Sequence, residues 1–376
     1  MCHRGYVLTS SLYFVTQAHL SAAQLVLLGT GMAVTLTVSD IPAGVWSDTF
    51  SRKWPLALGH GFLAAGMLLT GLVTAFPLLL LSQVLWALGW ACSGGADVAW
   101  LTDELGQPGR IARVLTARAR WDLTGGMAGM LAFGVLGWAA GLTAAIVASG
   151  AAMALLGAYV AARFPEGNFH PQAGRRWTGS LLIFRQGAGL ARRDGQILLM
   201  FAATMLVNAA AITTWLFPRR LVDLGFPHDL VLWYTGLGIV ASAAGVVALR
   251  IVEARIDGVR AARASYALAC FLGMAGLLVL AEAPDALLGC LGVLLVSGIG
   301  YNVTRAVSVV WVNQRTPGPV RATVHSFLAQ AETLGEILGG GALAALAQGA
   351  GIAATLLTSA ALLAGTGVLA ARVRSR

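Results

Sequence analysis

Runs of about twenty consecutive, mostly apolar residues recur along the chain, and this feature constrains its fold more than any other. A helix of that length rises about 30 Å, which matches the hydrocarbon core of a bilayer. Eleven such runs occur, at residues 22–46, 54–75, 77–101, 114–139, 141–162, 196–217, 229–251, 264–281, 286–312, 322–347 and 350–371. The sequence therefore predicts an all-α membrane protein with at least eleven spanning helices.

A shorter apolar piece, from Gly5 to Ala18, precedes the eleven runs. As a helix it would rise about 21 Å, which is too little to cross a core of about 30 Å. We expect it to form the outer part of a shortened first helix, which brings the total to twelve. Two explanations stay open: the start codon assigned to the chain lies downstream of the true one, or the gene is truncated.

Composition excludes a water-soluble globule. Of the 376 residues, 57% are hydrophobic and only 11% are charged, whereas soluble domains carry about 25% charged residues. That leaves too little polar surface to cover a soluble fold. The formal net charge is +9, but the bases lie in short clusters between apolar runs. This distribution is typical of membrane orientation and argues against nucleic acid as a partner.

Motifs for nucleotide hydrolysis, metal binding and covalent catalysis are missing from the sequence. A Walker-type phosphate loop has a glycine directly before its lysine, and the only lysine, Lys53, lacks one. The four cysteines, Cys2, Cys92, Cys270 and Cys290, form no CxxC pair, and no HExxH, GxSxG or GxGxxG motif occurs. We therefore predict no enzymatic activity, no cofactor, no metal and no disulfide.

The positions of the bases predict the orientation of the chain, because cytoplasmic loops carry an excess of Lys and Arg. If the loop at 47–53 is cytoplasmic and the spans alternate, at least seventeen bases fall on the cytoplasmic side. Only Arg219 and Arg220 fall on the other side. This asymmetry supports the span count. It predicts a multi-pass protein of the inner (cytoplasmic) membrane with a cytoplasmic C-terminus.

The longest polar segment, residues 163–195, divides the chain into two halves. We expect residues 1–162 to form an N-terminal bundle and residues 196–376 a C-terminal bundle, joined by this segment as a cytoplasmic loop. The halves also match in layout, because the runs that begin near Ala22 and His228 lie 206 residues apart (228 − 22). Parallel repeats of this kind mark one large class of secondary transporters.

The loop between the first two long runs carries the pattern Gly44-x-x-x-Asp48-x-x-x-Arg52-Lys53. This pattern resembles motif A of the major facilitator superfamily. Ser51 stands where that family usually has a second glycine. The resemblance implies two six-helix bundles, the first helix being shortened here, and a charged latch that holds one arrangement of the two bundles.

Three other stretches are similar to bacterial members of the same superfamily. The first, DIPAG, ends at Gly44 and resembles the lead-in of drug-efflux-like members. The others are AWLTDELG at 99–106 and RATVHSFLAQAETLGEILGG at 321–340. They support the superfamily and favour an efflux-like member.

The residue chemistry of the loop is compatible with a latch. Gly44 has no side chain, so another helix can pack closely at that point. Asp48 and Arg52 lie four residues apart, within hydrogen-bonding reach, and Asp48 can face the positive N-terminal end of a neighbouring helix. The alternative is that these charges, with Lys53, only set the orientation of the chain.

Glu332 and Glu336 are the most informative charges inside the apolar runs. They lie four residues apart and share a helix face, about 17 and 23 Å along the helix from Arg321. Ionisable groups inside a membrane are costly and usually functional. A low dielectric disfavours two ionised carboxylates, so the pair can take up and release a proton. Binding of a cationic substrate and a static hydrogen-bonded pair stay open as alternatives.

Other polar residues in the spans are weaker candidates. Asn208, Asn302 and Arg305 are further proton or substrate candidates, and Arg305 can also be a counter-ion of Glu332 or Glu336. Asp40 and Asp97 lie near the cytoplasmic ends of their spans, and Asp97 is placed to pair with Arg118 or Arg120. The tryptophans near span ends we interpret as interface anchors.

Together these features predict a secondary active transporter that works by alternating access. We expect proton-coupled efflux of a small amphipathic or drug-like compound, by a monomer in the lipid bilayer. Proton-coupled uptake of a small metabolite is the alternative within transport. A non-transporting membrane sensor or scaffold is the alternative outside it.

Overall fold

The computed structural model describes residues 1–105, 108–169, 189, 195–226, 229–256, 258–316 and 321–372. Within these ranges the chain is helical and contains no strand. The helices are α1 Cys2–Thr16, α2 Ala22–Thr49, α3 Lys53–Leu72, α4 Phe76–Ser93, α5 Ala96–Leu105, α6 Pro108–Ala140, α7 Leu142–Arg163, α8 Gly195–Ala211, α9 Phe217–Asp223, α10 Leu230–Glu253, α11 Gly258–Glu282, α12 Ala286–Val293, α13 Tyr301–Arg315 and α14 Arg321–Arg372. Most of the segment predicted as a central loop, 163–195, lies outside the described residues.

Ten helical stretches of the described chain are long and apolar enough to cross a membrane. The last of them, Val324–Arg372, has 49 residues. It contains a break at Gly351, whose φ of 84° is open to glycine and costly for other residues. Counting the two halves separately, and adding α1, gives twelve helices. The predicted all-α, twelve-helix membrane fold is therefore confirmed.

Helix α1 has 15 residues, packs mainly against α6 and α7, and makes hydrogen bonds to α3 and α4. The Tyr6 hydroxyl lies 2.9 Å from the Thr70 hydroxyl and accepts a hydrogen bond of 3.0 Å from Gln83 Nε2. The Tyr13 hydroxyl donates to the carbonyl of Val73, one residue beyond α3. Helix α1 is thus tied by Tyr6 and Tyr13 to the C-terminal end of α3.

Glycines bring α3 and α4 into close contact. A Cβ on Gly59 would lie 2.9 Å from the Gly89 carbonyl oxygen, and a Cβ on Gly89 would lie 2.6 Å from the Gly59 carbonyl oxygen. Small residues allow this approach between helices in lipid, where dispersion contacts replace the hydrophobic effect as the cohesive force. The contact fixes the position of α4, which carries Trp86 and Trp90.

Glycines also bring α14 against α8. A Cβ on Gly335 would overlap the Met205 carbonyl, and one on Gly339 would lie 2.5 Å from the Ala209 carbonyl oxygen. Gly341 differs, because a Cβ there would meet no described atom within 4 Å. The close contact places the same face of α14 against α8 over more than one turn, next to Glu332 and Glu336.

A π-helical segment, Leu294–Gly300, separates α12 from α13. The wider turn disturbs the regular hydrogen-bond ladder, and the Asn302 side chain compensates for it. Asn302 Nδ2 donates to the carbonyls of Ser297 at 2.8 Å and Gly298 at 3.0 Å. Gly245 of α10 makes room for this amide, since a Cβ there would lie 2.8 Å from Asn302 Nδ2.

The chain forms two compact units. The N-terminal unit contains α1, α2 from Gly31 onward, α3–α7 and α10 up to Ile239. The C-terminal unit contains the start of α2 up to Thr30, α8 and α9, α10 from Val240 onward, and α11–α14. Helices α2 and α10 are therefore the two that divide between the units. They are also the two that the 206-residue repeat equates.

Candidate functional site

Two groups of charged residues stand out, one in each unit. The first, which we call the loop cluster, comprises Asp48, Arg52, Asp103 and Glu166 in the N-terminal unit. The second, which we call the carboxylate pair, comprises Glu332 and Glu336 in the C-terminal unit. Each group contains residues that the sequence pointed to, and the loop cluster adds two that it did not.

Arg52 is the centre of the loop cluster. Its Nη1 is hydrogen-bonded to the Asp48 carboxylate, and its Nε lies 3.2 Å from Asp103 Oδ2. The Arg52 side chain is only 10% exposed. Burial opposes the charge, but the hydrogen bonds that Arg52 donates to the Asp48 and Asp103 carboxylates, with the attraction of those charges, outweigh it and raise the pKa of Arg52 above its ordinary value. The predicted Asp48–Arg52 pair is therefore present, with a third partner.

Glu166 lies at the N-terminal end of α3. Its Oε1 accepts hydrogen bonds from the backbone N–H groups of Arg52 at 2.5 Å and Lys53 at 3.0 Å. The Ser51 hydroxyl donates to the same carboxylate at 2.9 Å and accepts from the Trp54 N–H at 3.0 Å. A carboxylate at a helix N-terminus satisfies otherwise unpaired N–H groups and complements the helix dipole. Ser51 thus makes a hydrogen bond that glycine has no side chain to make.

Residues 164–169, directly after α7, are fastened to the loop cluster and to α5. Trp100 Nε1 donates to the Pro165 carbonyl at 2.8 Å, and the Trp100 and Phe164 rings stack 4.3 Å apart. The Asn168 N–H donates to Glu104 Oε1 at 3.0 Å. The guanidinium of Arg52 lies 5.9 Å from the centroid of the Phe169 ring. The described start of the central segment is therefore an integral part of the loop cluster.

Two motif residues stand apart from these contacts. A Cβ on Gly44 would meet no described atom within 4 Å. No described helix therefore packs closely at Gly44, and the expected close packing there stays a prediction. The Lys53 ammonium lies 5.8 Å from the Trp54 ring centroid, and it is the backbone of Lys53 that joins the cluster.

Asp97, in the first turn of α5, is paired with Arg118 of α6. The side chains are 31% and 48% exposed, so this pair is much more open than Arg52 and Asp48. Arg120 is exposed and forms no ion pair with a described residue. Asp40 is likewise exposed in α2, about two turns before Asp48. The structure thus brings together Asp97 and Arg118 and leaves Asp40 and Arg120 outside any described cluster.

The carboxylate pair shares one face of α14. Glu332 Oε2 lies 3.6 Å from Nη2 of Arg305, which is on α13. The Glu332 side chain is 20% exposed, whereas Arg305 is 77% exposed. Glu336 lies near enough to interact electrostatically with both. It forms no hydrogen bond or ion pair with a residue that the structure describes.

The two asparagine candidates are engaged with backbone. Asn208 Nδ2 donates to the Thr204 carbonyl of its own helix at 2.9 Å, and the Asn302 amide serves the π-helical segment. Asn302 thus uses both of its amide donors on carbonyls, and Asn208 uses one of its two. The structure does not bring either amide into hydrogen-bonding contact with Glu332 or Glu336.

Sequence reasoning missed Asp103 and Glu166. Asp103 lies in the stretch AWLTDELG, and Glu166 lies four residues after the last run of the N-terminal half. Their contacts with Arg52 join residues 51 and 114 positions apart. Local spacing carries no signal for such contacts. The one available signal was a pair of acids near the ends of their apolar runs.

Comparison with known proteins gives a consistent result. The sequence model described as Major Facilitator Superfamily matches residues 4–340. No curated protein matches the chain.

Solved transporter structures resemble the chain over nearly its full length. The nucleoside transporter NupG is 18% identical, with a TM-score of 0.74, covering 98% of this chain and 94% of that one. A mutant of the peptide transporter POT is 13% identical, with a TM-score of 0.75 and coverage of 98% and 91%. A bacterial homolog of the human lysosomal transporter Spinster is 16% identical, with a TM-score of 0.67 and coverage of 98% and 92%. At these identities the likeness shows the fold.

Proposed function

The chain belongs to the Major Facilitator Superfamily, and we propose that it is a proton-coupled transporter that expels a small amphipathic or drug-like compound by alternating access. The family and the fold support transport as the general activity. The carboxylate pair supports protons as the coupling ion. The stretch DIPAG before the loop cluster supports efflux.

The observation that carries this proposal is the arrangement of Arg305, Glu332 and Glu336. Arg305 of α13 faces two acids of α14, and the spans that contain these two helices are mostly apolar. At 3.6 Å the Arg305–Glu332 contact is longer than a good charge-assisted hydrogen bond. Two ionised acids on one helix face repel each other, so one proton on the pair relieves that repulsion. The pair is therefore suited to bind a proton in one state and release it in another.

Proton binding would act on the Arg305–Glu332 contact. A protonated Glu332 loses most of its attraction for Arg305, because the interaction then lacks one of its two charges. Arg305 is mostly exposed and free to change partner once that attraction is lost. Loading and unloading of the proton would thus change how α13 and α14 are held together. That link between protonation and helix contact is what coupled transport requires.

The loop cluster supplies the second element of the proposed mechanism. Arg52, Asp48, Asp103 and Glu166 hold α2, α3, α5 and the segment after α7 together at one end of the N-terminal unit. We assign to it the latch role that motif A has by resemblance. The proposed orientation places this end, and the C-terminus, in the cytoplasm of a monomer in the inner membrane.

Uptake of a small metabolite is the second candidate. Among the similar structures are a nucleoside transporter and a peptide transporter. They favour a small polar solute over a drug-like one. A sensor or scaffold that transports nothing is the third candidate, and it gives the carboxylate pair no function.

Transport into proteoliposomes distinguishes these candidates. The purified chain is reconstituted, a pH gradient of either sign is imposed, and flux of thiabendazole (an uncharged, drug-like heteroaromatic compound), uridine and a dipeptide is followed. We expect thiabendazole to move opposite to the proton gradient. Movement of uridine or the dipeptide with the protons would instead show uptake. Absence of gradient-driven flux for every solute in a broad panel would contradict transport and favour the scaffold.

A further inference from the structure

Three aromatic rings from two helices stack in the N-terminal unit. The ring centroids of Trp86 and Trp90 lie 5.7 Å apart with their planes 4° from parallel. The His3 ring lies 5.1 Å from Trp86 and 4.8 Å from Trp90, with interplanar angles of 21° and 25°. The two tryptophans are four residues apart on α4 and His3 reaches them from α1. We call this group the aromatic triad.

The triad contains two buried polar atoms that lack partners. Among the residues that the structure describes, neither Trp86 Nε1 nor His3 Nδ1 has a hydrogen bond. Trp86 is only 8% exposed, so water does not readily replace the missing partner. Leaving a buried donor or acceptor unpaired costs about 1–3 kcal/mol. Native proteins rarely keep two such atoms side by side without a ligand or a structural use for them.

The triad is open on one side and lies deep in the bundle. Trp90 is 46% exposed, so the other two rings leave part of it uncovered and accessible to a further ring. Trp86 and Trp90 lie about 15 and 21 Å along the helix from Phe76, which is close to the middle of a hydrocarbon core of about 30 Å. An interface anchor lies at the edge of the core instead. This depth distinguishes Trp86 and Trp90 from the tryptophans near span ends, which we interpret as interface anchors.

The charges around the triad are more positive than negative. Arg4 and the α-amino group of Met1 are the positive groups that interact electrostatically with His3, and Asp122 is the negative one. An organic cation gains from aromatic faces when its charge is not opposed, and here Arg4 opposes it. A neutral solute avoids this repulsion and the cost of carrying a net charge into the core.

We propose that the aromatic triad is a stacking site for a flat, uncharged heteroaromatic ring carried by the transported solute. Trp90 supplies the stacking face. Trp86 Nε1–H donates to an acceptor on the ring, and His3 Nδ1 pairs with a second polar group. This inference rests on the proposed transport function and narrows its substrate class. A purely apolar aromatic ring fits the stack but leaves both nitrogen atoms unpaired.

Direct binding to the full chain in lipid nanodiscs tests the proposal without requiring transport. Tritiated adenine and uracil serve as probes. Dihydrouracil, which keeps the polar groups of uracil on a puckered ring, is the matched ligand control, and tetraphenylphosphonium is the cationic one. We expect saturable binding of adenine or uracil, with dihydrouracil and tetraphenylphosphonium competing poorly.

Variants then locate the site. Trp90→Leu should weaken binding roughly tenfold or more, since base–aromatic stacking contributes about 1–3 kcal/mol. Trp86→Phe keeps a ring but removes the N–H, and should weaken binding by about fivefold. Trp138→Leu is the control, because Trp138 is 54% exposed on α6 and outside the triad. The Trp138→Leu variant should bind adenine or uracil with the same affinity as the parent chain.

Several results would overturn the proposal. They are absence of saturable adenine and uracil binding, binding that both triad variants retain at full strength, and preferential binding of tetraphenylphosphonium. Thermal unfolding of each variant separates a lost site from a lost fold, and Trp86→Phe keeps the question answerable if Trp90→Leu unfolds. Gradient-driven flux without triad binding would refute this inference alone. Triad binding without any flux would refute the transport function alone.

Discussion

One arginine lies near two acids both in the loop cluster and at the carboxylate pair, but the charges are paired much more completely in the loop cluster. Arg52 is 10% exposed and contacts both of its acids, while Glu166 caps the adjoining helix. Arg305 is 77% exposed and reaches one acid at 3.6 Å. Paired buried charges resist change, because breaking them leaves an uncompensated charge. An incompletely paired acid gains a proton at lower cost. The difference suggests that one group holds a conformation and the other responds to protons.

The largest expected effect is in the carboxylate pair. Glu332→Gln and Glu336→Gln remove the acid but keep its size and a polar end. We expect gradient-driven flux to fall to the level of protein-free liposomes in at least one variant, and the pH profile of the remaining flux to shift. Transport over a range of pH checks this. Glu282→Gln, at the exposed end of α11, is the control, and an unchanged pH profile in both pair variants would rule the pair out as proton carrier.

The next effect is in the loop cluster. Asp48→Asn keeps the shape of the side chain but removes the charge that faces Arg52. We expect normal membrane insertion and a loss of stability of about 1–3 kcal/mol, together with transport slowed far more than that loss explains. Transport rate and thermal unfolding, measured on the same preparation, check this. Normal transport by Asp48→Asn would show that the loop cluster does not act as a latch.

The pH response should differ between the two groups. The pKa of Arg52 is raised, so its stabilising contribution is complete below the ordinary arginine value of about 12.5 and is lost only above it. Stability that depends on Arg52 should therefore stay constant from about pH 5 to pH 9. The difference in unfolding temperature between the parent and Arg52→Gln measures it. A difference that varies strongly within that range would show that Arg52 is not held as described.

A smaller effect is expected at Glu166. Glu166→Ala removes the acceptor for two backbone N–H groups and the Ser51 hydroxyl, and loss of such a cap costs about 1 kcal/mol. Ser51→Ala should cost less, and the two losses should not add, because both remove the Ser51–Glu166 hydrogen bond. A double-mutant cycle on thermal stability measures the coupling. Strict additivity would show that this hydrogen bond contributes nothing.

The smallest effect is expected at the exposed ion pair of Asp97 and Arg118. Arg118→Ala should cost between 0 and about 1 kcal/mol, since open ion pairs are screened by solvent. Arg120→Ala, two residues away and outside any described ion pair, is the matched control. Thermal unfolding at low and high salt compares the stability of the two variants. A larger loss of stability in Arg120→Ala than in Arg118→Ala would contradict the assignment of Arg118 as the partner of Asp97.

Much of the fold was readable from the sequence because each spanning helix is specified locally. Apolar length identifies a span whatever its neighbours are, and the runs at 54–75 and 141–162 correspond to α3 and α7 within a few residues. The π-helical segment Leu294–Gly300 was not predicted. It occurs where glycines allow neighbouring helices to approach each other closely, and its apolar sequence resembles that of an ordinary α-helix.

The candidate site was readable only where its partners are close in sequence. Asp48 and Arg52 are four residues apart, so their pairing follows from helix geometry. Glu166 reaches Arg52 across 114 positions, and His3 reaches Trp86 across most of the N-terminal half. Such contacts depend on how the helices assemble. Trp86 and Trp90, four apart on one helix, were the part of the aromatic triad that spacing alone predicts to share a face.

Solute exchange in proteoliposomes without a pH gradient tests the division between the two groups most directly. Exchange requires the conformational cycle but no net proton movement. We expect Glu336→Gln and Glu332→Gln to retain exchange while at least one of them loses gradient-driven flux, and we expect Asp48→Asn to lose both exchange and gradient-driven flux. Full exchange by Asp48→Asn, or loss of exchange in both glutamine variants of the pair, would contradict the separation of a latch from a proton site.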